Sequence, residues 1–577
     1  MKELDRLLES TDIDNLLEMD LAQFTQDELE YLFDKVQNKA DTVCYGLGIE
    51  YNIKDVQLVD RIDEETGLMD LALVIAYKGG VNYSEVFGTT GIWDSIIYRY
   101  LNAKKVAVPP NTRKHKDPYP GGYVKEPRIG MSEWITSFDL NSLYPSLIVQ
   151  YNMSPETLIR DGDVYPHGVD YYIDDNTDSV VGDGFCVAAN GSRYTTTERG
   201  VLPTMIVDLY DERRATKQAM LKAKQEYEIN PDSTIRRKIN QLDNTQMAVK
   251  ILLNSLYGAL GNQYFRYFEM DMAEGITLSG QLAIKWAEKA MNNALNKILK
   301  TDDDYVIAID TDSLYVDMNP LVQRVKPKDP VKFIDEACRQ KFEPILEKAY
   351  DIMYEKMGGY ENRMVMAREA IADRGVWTAK KRYILNVHNN EGVQYAEPKL
   401  KVMGIEAVKS STPVVVRDKF MKAYGIMLNG TEEELQKFVS DFYEEFKSLP
   451  PESVSFPRGV SEVDKWIDKQ NLYKKGVPIH VRGSIVFNNK MKEFGLHKTM
   501  DTIKNGTKVK FCYLKKPNPF MENVIAFPQF LPREMDIHKY IDYRMQFDKT
   551  FRDPLKLVSD AIQWNLEKID TLENFFS

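Results

Sequence analysis

Two aspartates separated by one residue, Asp310 and Asp312, stand between two apolar runs of strand length. The run 305–309 before them and the run 314–316 after them suit two buried strands, and Asp-Thr-Asp-Ser is typical of a turn. We therefore predict a β-hairpin that displays two carboxylates at its tip. Carboxylates held on a rigid turn can bind a hard divalent cation such as Mg²⁺, which also takes water and phosphate oxygens as ligands.

The spacing Asp-x-Asp is a weak signal when it stands alone. It recurs where a solvated turn or a helix cap is the simpler interpretation, at Asp12/Asp14, Asp161/Asp163 and Asp302/Asp304. A solvated acidic turn is therefore the alternative for the hairpin as well, and partner carboxylates elsewhere in the chain decide between the two.

Two such partners stand next to strand-like sequences. Asp139 ends the run that begins at Trp134, and the chain then turns into a helical pattern, so its carboxylate and nearby backbone oxygens could face a ligand. The alternative is that Asp139 only caps that helix. Glu369 lies in the strand-like run 366–372.

Two long helical patterns, at about 205–227 and 235–260, are separated by the helix breaker and N-cap sequence of residues 230–233. We predict that they form an antiparallel hairpin. Cations on one face could grip a triphosphate, with an aromatic residue and a glycine receiving a base. Solvated charges on a helical hairpin are the alternative. The residues concerned are Arg213 and Lys217 on the first helix, and Lys250, Asn254, Tyr257 and Gly258 on the second.

Basic residues interleaved with aromatic and β-branched residues occur at 378–383 and 397–401. Such a pattern suits a sheet surface that contacts a nucleic-acid backbone, although an ordinary amphipathic strand pair has the same composition. Earlier in the chain, a Pro- and Gly-rich linker from about Val106 ends in Tyr-Pro-Gly-Gly at 119–122.

Length and composition describe an ordinary globular chain. Its 577 residues predict three to five domains, and its hydrophobic fraction is 43%. No apolar run could span a bilayer and no signal-peptide pattern opens the chain, so we expect a cytoplasmic protein. The cysteines are far apart and form no C-x-x-C, which predicts reduced structural thiols and no zinc site for Cys44, Cys186, Cys338 and Cys512.

The formal net charge of −12 is concentrated at the N-terminus. Residues 1–70 contain 19 acidic and 6 basic residues, a net of −13, whereas the remaining 507 residues contain 68 acidic and 69 basic residues, a net of +1. Outside the first 70 residues the chain is therefore balanced, and local basic surfaces could contact phosphates.

The segments 137–146, 250–261, 310–313 and 380–383 together resemble the ordered motifs of family B DNA polymerases. The chain is similar to the T-even-like bacteriophage members of that family from about residue 45 onward, including the sequences at 254–262, 395–401 and 409–413. The resemblance implies an α+β right-hand architecture with an antiparallel palm sheet, helical-hairpin fingers and a mainly helical thumb.

The resemblance also implies domain boundaries. Residues 1–68 would be the C-terminal remnant of a 3′–5′ exonuclease domain, and 69–113 a linker or N-terminal-domain-like segment. The palm would comprise 114–199 and 263–408, with the fingers at 200–262. The thumb would be 409–577, ending in a tail that binds a sliding clamp.

The implied activity is DNA-directed DNA synthesis, in which dNTPs are added to a primer 3′ end with two Mg²⁺ ions, for which Mn²⁺ could substitute. The catalytic carboxylates would be Asp139, Asp312, Asp310 and Glu369, and the metal ligands Asp139, Asp312 and the Leu140 backbone. Nucleotide-binding residues would be Leu140, Ser142, Leu143, Tyr144, Arg213, Lys217, Lys250, Asn254, Tyr257 and Gly258, with Tyr144 excluding a ribose 2′-hydroxyl. Primer–template DNA would contact Tyr119, Gly121, Gly122, Lys380, Lys381, Tyr383, Lys399 and Lys401.

Two departures from the family pattern affect these expectations. Ala308-Ile309 stands where the family usually has Tyr-Gly, so a larger residue than glycine could alter the approach of the primer terminus. Of the exonuclease motifs only Tyr51 and Asp55 are matched, so we expect no exonuclease activity from this chain alone. We therefore expect a second polypeptide that supplies the N-terminal and exonuclease domains, and thus a split phage polymerase acting in the cytoplasm of an infected bacterium. A laboratory or assembly truncation is the alternative.

Two further interpretations belong to other classes of protein: a catalytically silent polymerase-like DNA-binding scaffold, and an exonuclease.

The C-terminal tail from about Asp570 is expected to bind the clamp through Leu572, Phe575 and Phe576, because an apolar chain end has no local core to fill. The alternative is that this tail docks on its own thumb.

Overall fold

A computed structural model describes residues 49–50, 52–112, 114–162, 165–174 and 184–568. Two compact units divide the chain: one contains the described residues up to Lys114 together with Ile206–Phe268, and the other contains His115–Met205 and the residues from Glu269 onward. The fold is α+β, and every strand pair among the described residues is antiparallel, as predicted. None of the described helices is long and apolar enough to cross a membrane.

After a helix at residues 52–66, the helices are α1 Leu68–Gly79, α2 Thr89–Ala103, α3 Leu143–Gln150, α4 Val169–Ile173, α5 Val201–Ile229, α6 Ser233–Leu260, α7 Met270–Leu299, α8 Asn319–Val325, α9 Pro330–Ala337, α10 Glu343–Lys356, α11 Val414–Asn429, α12 Glu432–Ser448, α13 Pro451–Val454, α14 Val463–Trp466, α15 Ile479–Glu493, α16 Tyr543–Phe547 and α17 Asp553–Ala561. The strands are β1 Gly130–Leu140, β2 Leu158–Ile159, β3 Phe185–Val187, β4 Arg193–Thr195, β5 Val306–Asp310, β6 Ser313–Asp317, β7 Met366–Ala379, β8 Arg382–Asn390, β9 Val393–Met403, β10 Phe456–Gly459, β11 Ile467–Asp468, β12 Leu472–Tyr473, β13 Lys508–Tyr513 and β14 Val524–Phe527.

The first unit is helical. The helices α5 and α6 form where the sequence predicted them, and Asp232 is the N-cap of α6, since its side chain accepts hydrogen bonds from the backbone N–H groups of Thr234 and Ile235. Helix α6 buries one apolar face, where α1 and α2 contact it. The indole Nε1 of the buried Trp93 donates to Ser255 Oγ at 3.1 Å, and this hydrogen bond fixes α2 against α6.

A six-stranded sheet dominates the second unit, in the order β5-β6-β1-β7-β8-β9. The predicted hairpin is confirmed: β5 and β6 pair directly, with Thr311 and Asp312 in the turn. Strand β1 lies in the middle of the sheet, between β6 and β7. Helices α7, α9 and α10 pack against the sheet, so its apolar strands are buried as their composition predicts.

The chain segment that enters this unit covers the outer side of β5. Val124 forms a β-bridge with Asp310, and the backbone N–H groups of Lys125 and Arg128 donate to the carbonyls of Ile309 and Ile307. The hairpin is therefore supported on both sides, by β1 through β6 and by residues 123–128 along β5.

The C-terminal region contains two hydrophobic cores. One is formed mainly by α11 and α12 with the helices after residue 543. The other lies between the sheet β10-β13-β14 and α15, so the region 409–568 contains strands as well as helices. Cys186, Cys338 and Cys512 are buried free thiols, as predicted for these three.

Candidate active site

Asp139 and Asp312 lie side by side at one end of the sheet. Asp139 pairs in register with Ser313, the residue after Asp312, and the Leu140 N–H donates to the Asp312 carbonyl at 2.9 Å. The N-cap of α3 is Ser142, so Asp139 does not cap that helix. The structure therefore excludes the capping alternative for Asp139.

Burial of the two aspartates raises the pKa of both. The pKa of Asp312 rises to about 6 because it is desolvated and because the charge of Asp139 lies close to it. Desolvation also raises the pKa of Asp139, while the Ser313 hydroxyl, which donates to its Oδ1 at 2.8 Å, opposes the rise. Two partly desolvated carboxylates that repel one another are the arrangement that a bound cation would relieve.

The pair of aspartates fits a Mg²⁺-type ion. Among the described residues, no group of three or more His, Cys, Asp or Glu side chains is arranged to hold a metal. Mg²⁺ sites that act on phosphates normally use only one or two carboxylates, and water and substrate supply the other oxygens. Leu140 directly follows Asp139 and is hydrogen-bonded to the Asp312 backbone, so its carbonyl is a candidate for one more oxygen ligand.

The other two carboxylates each form an ion pair with a lysine. Lys381 Nζ lies 2.5 Å from Asp310 Oδ1, and Lys401 Nζ lies 2.7 Å from Glu369 Oε1. Glu369 also accepts a hydrogen bond from Ser137 Oγ at 3.0 Å. The four acids of the site are therefore accompanied by two cations, which lowers the repulsion within the cluster.

Four of the residues predicted to contact DNA lie at one turn and one edge of this sheet: Lys380 and Lys381 form the turn between β7 and β8, and Lys399 and Lys401 lie on the edge strand β9. Lys380 pairs with Glu126 at 2.9 Å, and the ammonium of the exposed Lys399 lies over the Tyr395 ring. The side chain of Tyr383, in contrast, is only 5% exposed, and its hydroxyl lies 2.7 Å from that of Tyr315. That side chain packs the sheet interior and presents little surface to a ligand.

Gly122, the second glycine of the Tyr-Pro-Gly-Gly sequence, lies against the turn between the acids. A Cβ atom on Gly122 would lie 2.7 Å from Thr311 Cγ2, which is too close for any side chain. Thr311 itself has a left-handed backbone, and its N–H donates to the Tyr123 carbonyl at 2.9 Å. The backbone after Gly122 therefore holds the turn that carries Asp310 and Asp312.

Residues 140–144 form the connection from β1 to α3. Ser142 adopts φ 50°, which lets the chain reverse into the helix, and the Asn141 N–H donates to the Val365 carbonyl at 3.0 Å. Tyr144 follows in the first turn of α3, and burial together with the charge of Asp312 raises its pKa. The ring of Tyr144 thus lies close to the aspartate pair.

The first unit carries the remaining predicted nucleotide-binding residues. Lys250, Asn254 and Gly258 are exposed along one face of α6, with Tyr257 partly exposed beside them. The opposite face of α6 is buried, so these four positions lie outside the hydrophobic core of the unit. A Cβ atom on Gly258 would meet nothing within 4 Å, which shows that the packing of this unit does not require a glycine there. On α5, Arg213 is partly exposed and Lys217 is exposed.

The two residues that depart from the family pattern are both buried. Ala308 is 6% exposed, and Ile309 is 1% exposed. Ala308 belongs to the cluster that contains Tyr315 and Trp377. The additional bulk of Ile309 therefore lies in the protein interior rather than on the surface that carries the acids.

Several sequence expectations lie outside the described residues: Tyr51, Leu572, Phe575 and Phe576. Asp55 is exposed on the helix at residues 52–66. Sequence reasoning missed Ser137 and Ser313, whose hydroxyls hold Glu369 and Asp139. The only available signal was their position two residues before Asp139 and directly after Asp312.

The family model that matches this chain is DNA polymerase family B, over residues 90–480. This chain therefore belongs to DNA polymerase family B. It is 31% identical to the DNA-directed DNA polymerase of Enterobacteria phage T4 over 94% of this chain and 66% of that protein. It is 33% identical to the DNA-directed DNA polymerase of Escherichia phage RB69, over 92% of this chain and 64% of that protein.

The similarity extends to cellular enzymes but covers less of the chain. DNA polymerase 1 of Pyrococcus abyssi is 28% identical over 59% of this chain and 37% of that protein. The chain spans slightly less than two thirds of the length of the two phage relatives.

Proposed function

We propose that this protein is a DNA-directed DNA polymerase that adds dNTPs to a primer 3′ end. The observation that carries the proposal is the pair Asp139 and Asp312 in a chain of this family. Asp139 lies near the end of β1, Asp312 lies in the turn that opens the adjacent antiparallel strand β6, and both carboxyls have raised pKa values. In the reaction the primer 3′-oxygen forms a bond to the α-phosphorus of the dNTP. The bond between the α-phosphorus and the oxygen that bridges to the β-phosphate breaks, and pyrophosphate leaves.

Asp139, Asp312 and the Leu140 backbone would hold divalent ions, for which Mg²⁺ is the best fit. Such ions, when bound, would activate the 3′-hydroxyl and neutralise charge on the departing pyrophosphate. Ser313 orients the carboxylate of Asp139 through its hydrogen bond. Lys381 and Lys401 restrain Asp310 and Glu369, and could exchange these partners for DNA phosphates when a duplex binds.

In this proposal the six-stranded sheet is the palm, with residues 114–199 and 263–408. The helices α5 and α6 belong to the fingers, at 200–262, and residues 409–577 form the thumb. The exposed face of α6 and the cations Arg213 and Lys217 would bind the triphosphate, and Tyr144 would exclude a 2′-hydroxyl group. The protein would act in the cytoplasm of an infected bacterium.

Primer extension by the purified chain tests the proposal. Incubation with a primer–template duplex, the four dNTPs and Mg²⁺ should lengthen the primer, and omission of the metal should abolish the reaction. A catalytically silent DNA-binding scaffold would bind the duplex without extending it. An exonuclease would shorten single-stranded DNA and would lose that activity on Asp55→Ala.

The open space beside Gly258 leads to a prediction about nucleotide binding. Gly258→Ala should stabilise α6 by up to ~1 kcal/mol, because alanine favours a helix and the new methyl meets nothing in the protein. If a base packs on this glycine, the same change should raise the KM for dNTPs. Thermal unfolding and steady-state kinetics measure the two effects, and a raised Tm with unchanged KM would argue against a base at this position.

We further propose that a second polypeptide binds the helix at residues 52–66. Branched apolar side chains at Ile53, Val56, Val59 and Ile62 are each more than half exposed there. This helix also lies in the acidic N-terminal region, so the partner surface would be apolar with a basic rim. Native mass spectrometry of the protein from its source should find a heterodimer, and Val59→Glu should dissociate it. A monodisperse monomer that replicates DNA without a companion would refute the proposal.

The C-terminal tail gives a separate prediction. Deleting residues 572–577 removes Leu572, Phe575 and Phe576 and should leave distributive synthesis intact, because the change lies far along the chain from the aspartates. Stimulation by a sliding clamp should be lost. Product length with and without the clamp measures the effect, and unchanged processivity in its presence would contradict the assignment.

A further inference from the structure

Tyr144 lies between two glycines of the second unit. A Cβ atom built on Gly280 of α7 would lie 3.2 Å from Tyr144 Cε1, and one built on Gly122 would lie 3.2 Å from the Tyr144 hydroxyl oxygen. The first distance is shorter than the ~3.5–4.0 Å of an ordinary contact between carbon atoms, and the second is also tighter than most contacts of a Cβ atom. The ring therefore rests against the backbone of α7 at a position where any side chain would displace it.

Gln281, the residue after Gly280, holds the backbone of the glycine pair that lies near the Tyr144 hydroxyl. Gln281 Nε2 donates a hydrogen bond of 2.6 Å to the Gly121 carbonyl, directly before Gly122. Two consecutive residues of α7 thus act on Tyr144: Gly280 lies against one side of its ring, and Gln281 restrains the backbone near its hydroxyl. Helix α7 is a firm base for this arrangement, since it runs for 30 residues and is largely buried.

We propose that Gly280 and Gln281 position Tyr144 and thereby set how strictly the protein excludes ribonucleotides. The inference rests on the proposed function, in which the Tyr144 ring meets the sugar of the incoming nucleotide. Gly280 lets the ring lie back against α7 and leaves room for a deoxyribose. Gln281 keeps the Gly121–Gly122 backbone against the hydroxyl, so the ring cannot swing aside to admit a ribose.

The two residues act in opposite directions when they are changed. In Gly280→Ala the new methyl pushes the ring away from α7 and toward the sugar, so the KM for dNTPs should rise and the discrimination against rNTPs should tighten by about threefold to tenfold. In Gln281→Leu the hydrogen bond is lost at similar side-chain size, the Gly121–Gly122 backbone relaxes, and the discrimination should weaken by a similar factor.

A second glycine of the same helix supplies the matched control. A Cβ atom on Gly275 would lie 3.1 Å from Asn190 Oδ1, a contact as tight as that of Gly280 but directed away from Tyr144. Gly275→Ala should therefore have a comparable effect on thermal unfolding and leave the ratio of dNTP to rNTP incorporation unchanged. In a Tyr144→Ala background, Gly280→Ala should no longer alter that ratio, because the ring through which it acts is absent.

The experiment measures kcat and KM for one dNTP and for its ribonucleotide with the full chain on a primer–template duplex. The inference is supported if the ratio of dNTP to rNTP incorporation shifts in opposite directions in Gly280→Ala and Gln281→Leu, and if neither shift occurs in the Tyr144→Ala background. An unchanged ratio in Gln281→Leu, a side-chain change at a partly exposed position, overturns it even if Gly280→Ala fails to fold. Failure of the unmodified chain to extend a primer overturns the proposed function itself, whereas extension with unchanged ratios overturns only this inference.

Discussion

Asp312→Asn is expected to abolish primer extension while making the protein more stable. Loss of one of two carboxylates that hold the reacting groups should lower kcat about a thousandfold, or ~4 kcal/mol of transition-state stabilisation. The amide has nearly the same shape as the carboxylate, so the hairpin should be preserved. The loss would then report the missing charge rather than a change of fold.

The gain in stability follows from the raised pKa of Asp312. A carboxyl group whose pKa is raised to about 6 by folding binds its proton more tightly in the folded state, so its ionised form weakens the fold at pH 8. Removing that charge should raise the Tm at pH 8 in a chelator. The difference should shrink as the pH falls from about 6 toward 3.8 and vanish only below that value, where the carboxyl is protonated in both states.

Asp317→Asn is the matched control, because Asp317 ends the same strand β6 at the opposite end from the aspartate pair. It pairs with Arg128 and accepts a hydrogen bond from the Asn319 N–H, and an amide oxygen can still accept both contacts, so primer extension should stay within about twofold. If Asp312→Asn extends primers at a similar rate to this control, Asp312 has no catalytic role. If Asp312→Asn lowers the Tm at pH 8, the repulsion between Asp139 and Asp312 does not destabilise the fold.

Lys250→Ala is expected to raise the KM for dNTPs roughly a hundredfold. An ammonium that forms charge-assisted hydrogen bonds to a triphosphate contributes up to ~3 kcal/mol of binding. Lys250 is exposed on α6, in line with Asn254 and Tyr257, so its removal should not disturb the buried face of the helix. Steady-state kinetics with a saturating primer–template duplex measures the effect, and thermal unfolding should be unchanged.

Lys238→Ala provides the comparison for Lys250→Ala. Lys238 is exposed on the same helix three turns earlier, and its position is rotated by about 120° from that of Lys250. Both variants lose one positive charge, so a general electrostatic effect would raise the two KM values equally. A rise in Lys250→Ala alone locates the triphosphate on the face that contains Asn254, and equal values would argue against that location.

Local patterns predicted the parts of the site that depend on neighbouring residues. The hairpin of Asp310 and Asp312, the strand before Asp139 and the N-cap at Asp232 each follow from a few consecutive residues whose backbone preferences agree. The structure places these elements where the sequence indicated them.

The contacts between distant strands could not be predicted in the same way. Strand β1 pairs with two strands that follow it by more than 170 residues, and nothing in an alternating pattern states which strand lies beside which. For the same reason Lys381 and Lys401 indicated a DNA surface, whereas their pairing with Asp310 and Glu369 depends on the registers of β7, β8 and β9. The burial of Tyr383 is also a property of the assembled sheet.

The two borders of the six-stranded sheet explain why it stops at six strands. On the side of β5, residues 123–128 already occupy backbone groups that another chain could bind. On the side of β9, Pro398 offers no N–H, and the charged Lys399 stands next to it. A long, unprotected edge would recruit strands from other molecules and start aggregation. The sheet can therefore keep a charged, partly exposed acidic turn at high protein concentration without growing into a larger β-assembly.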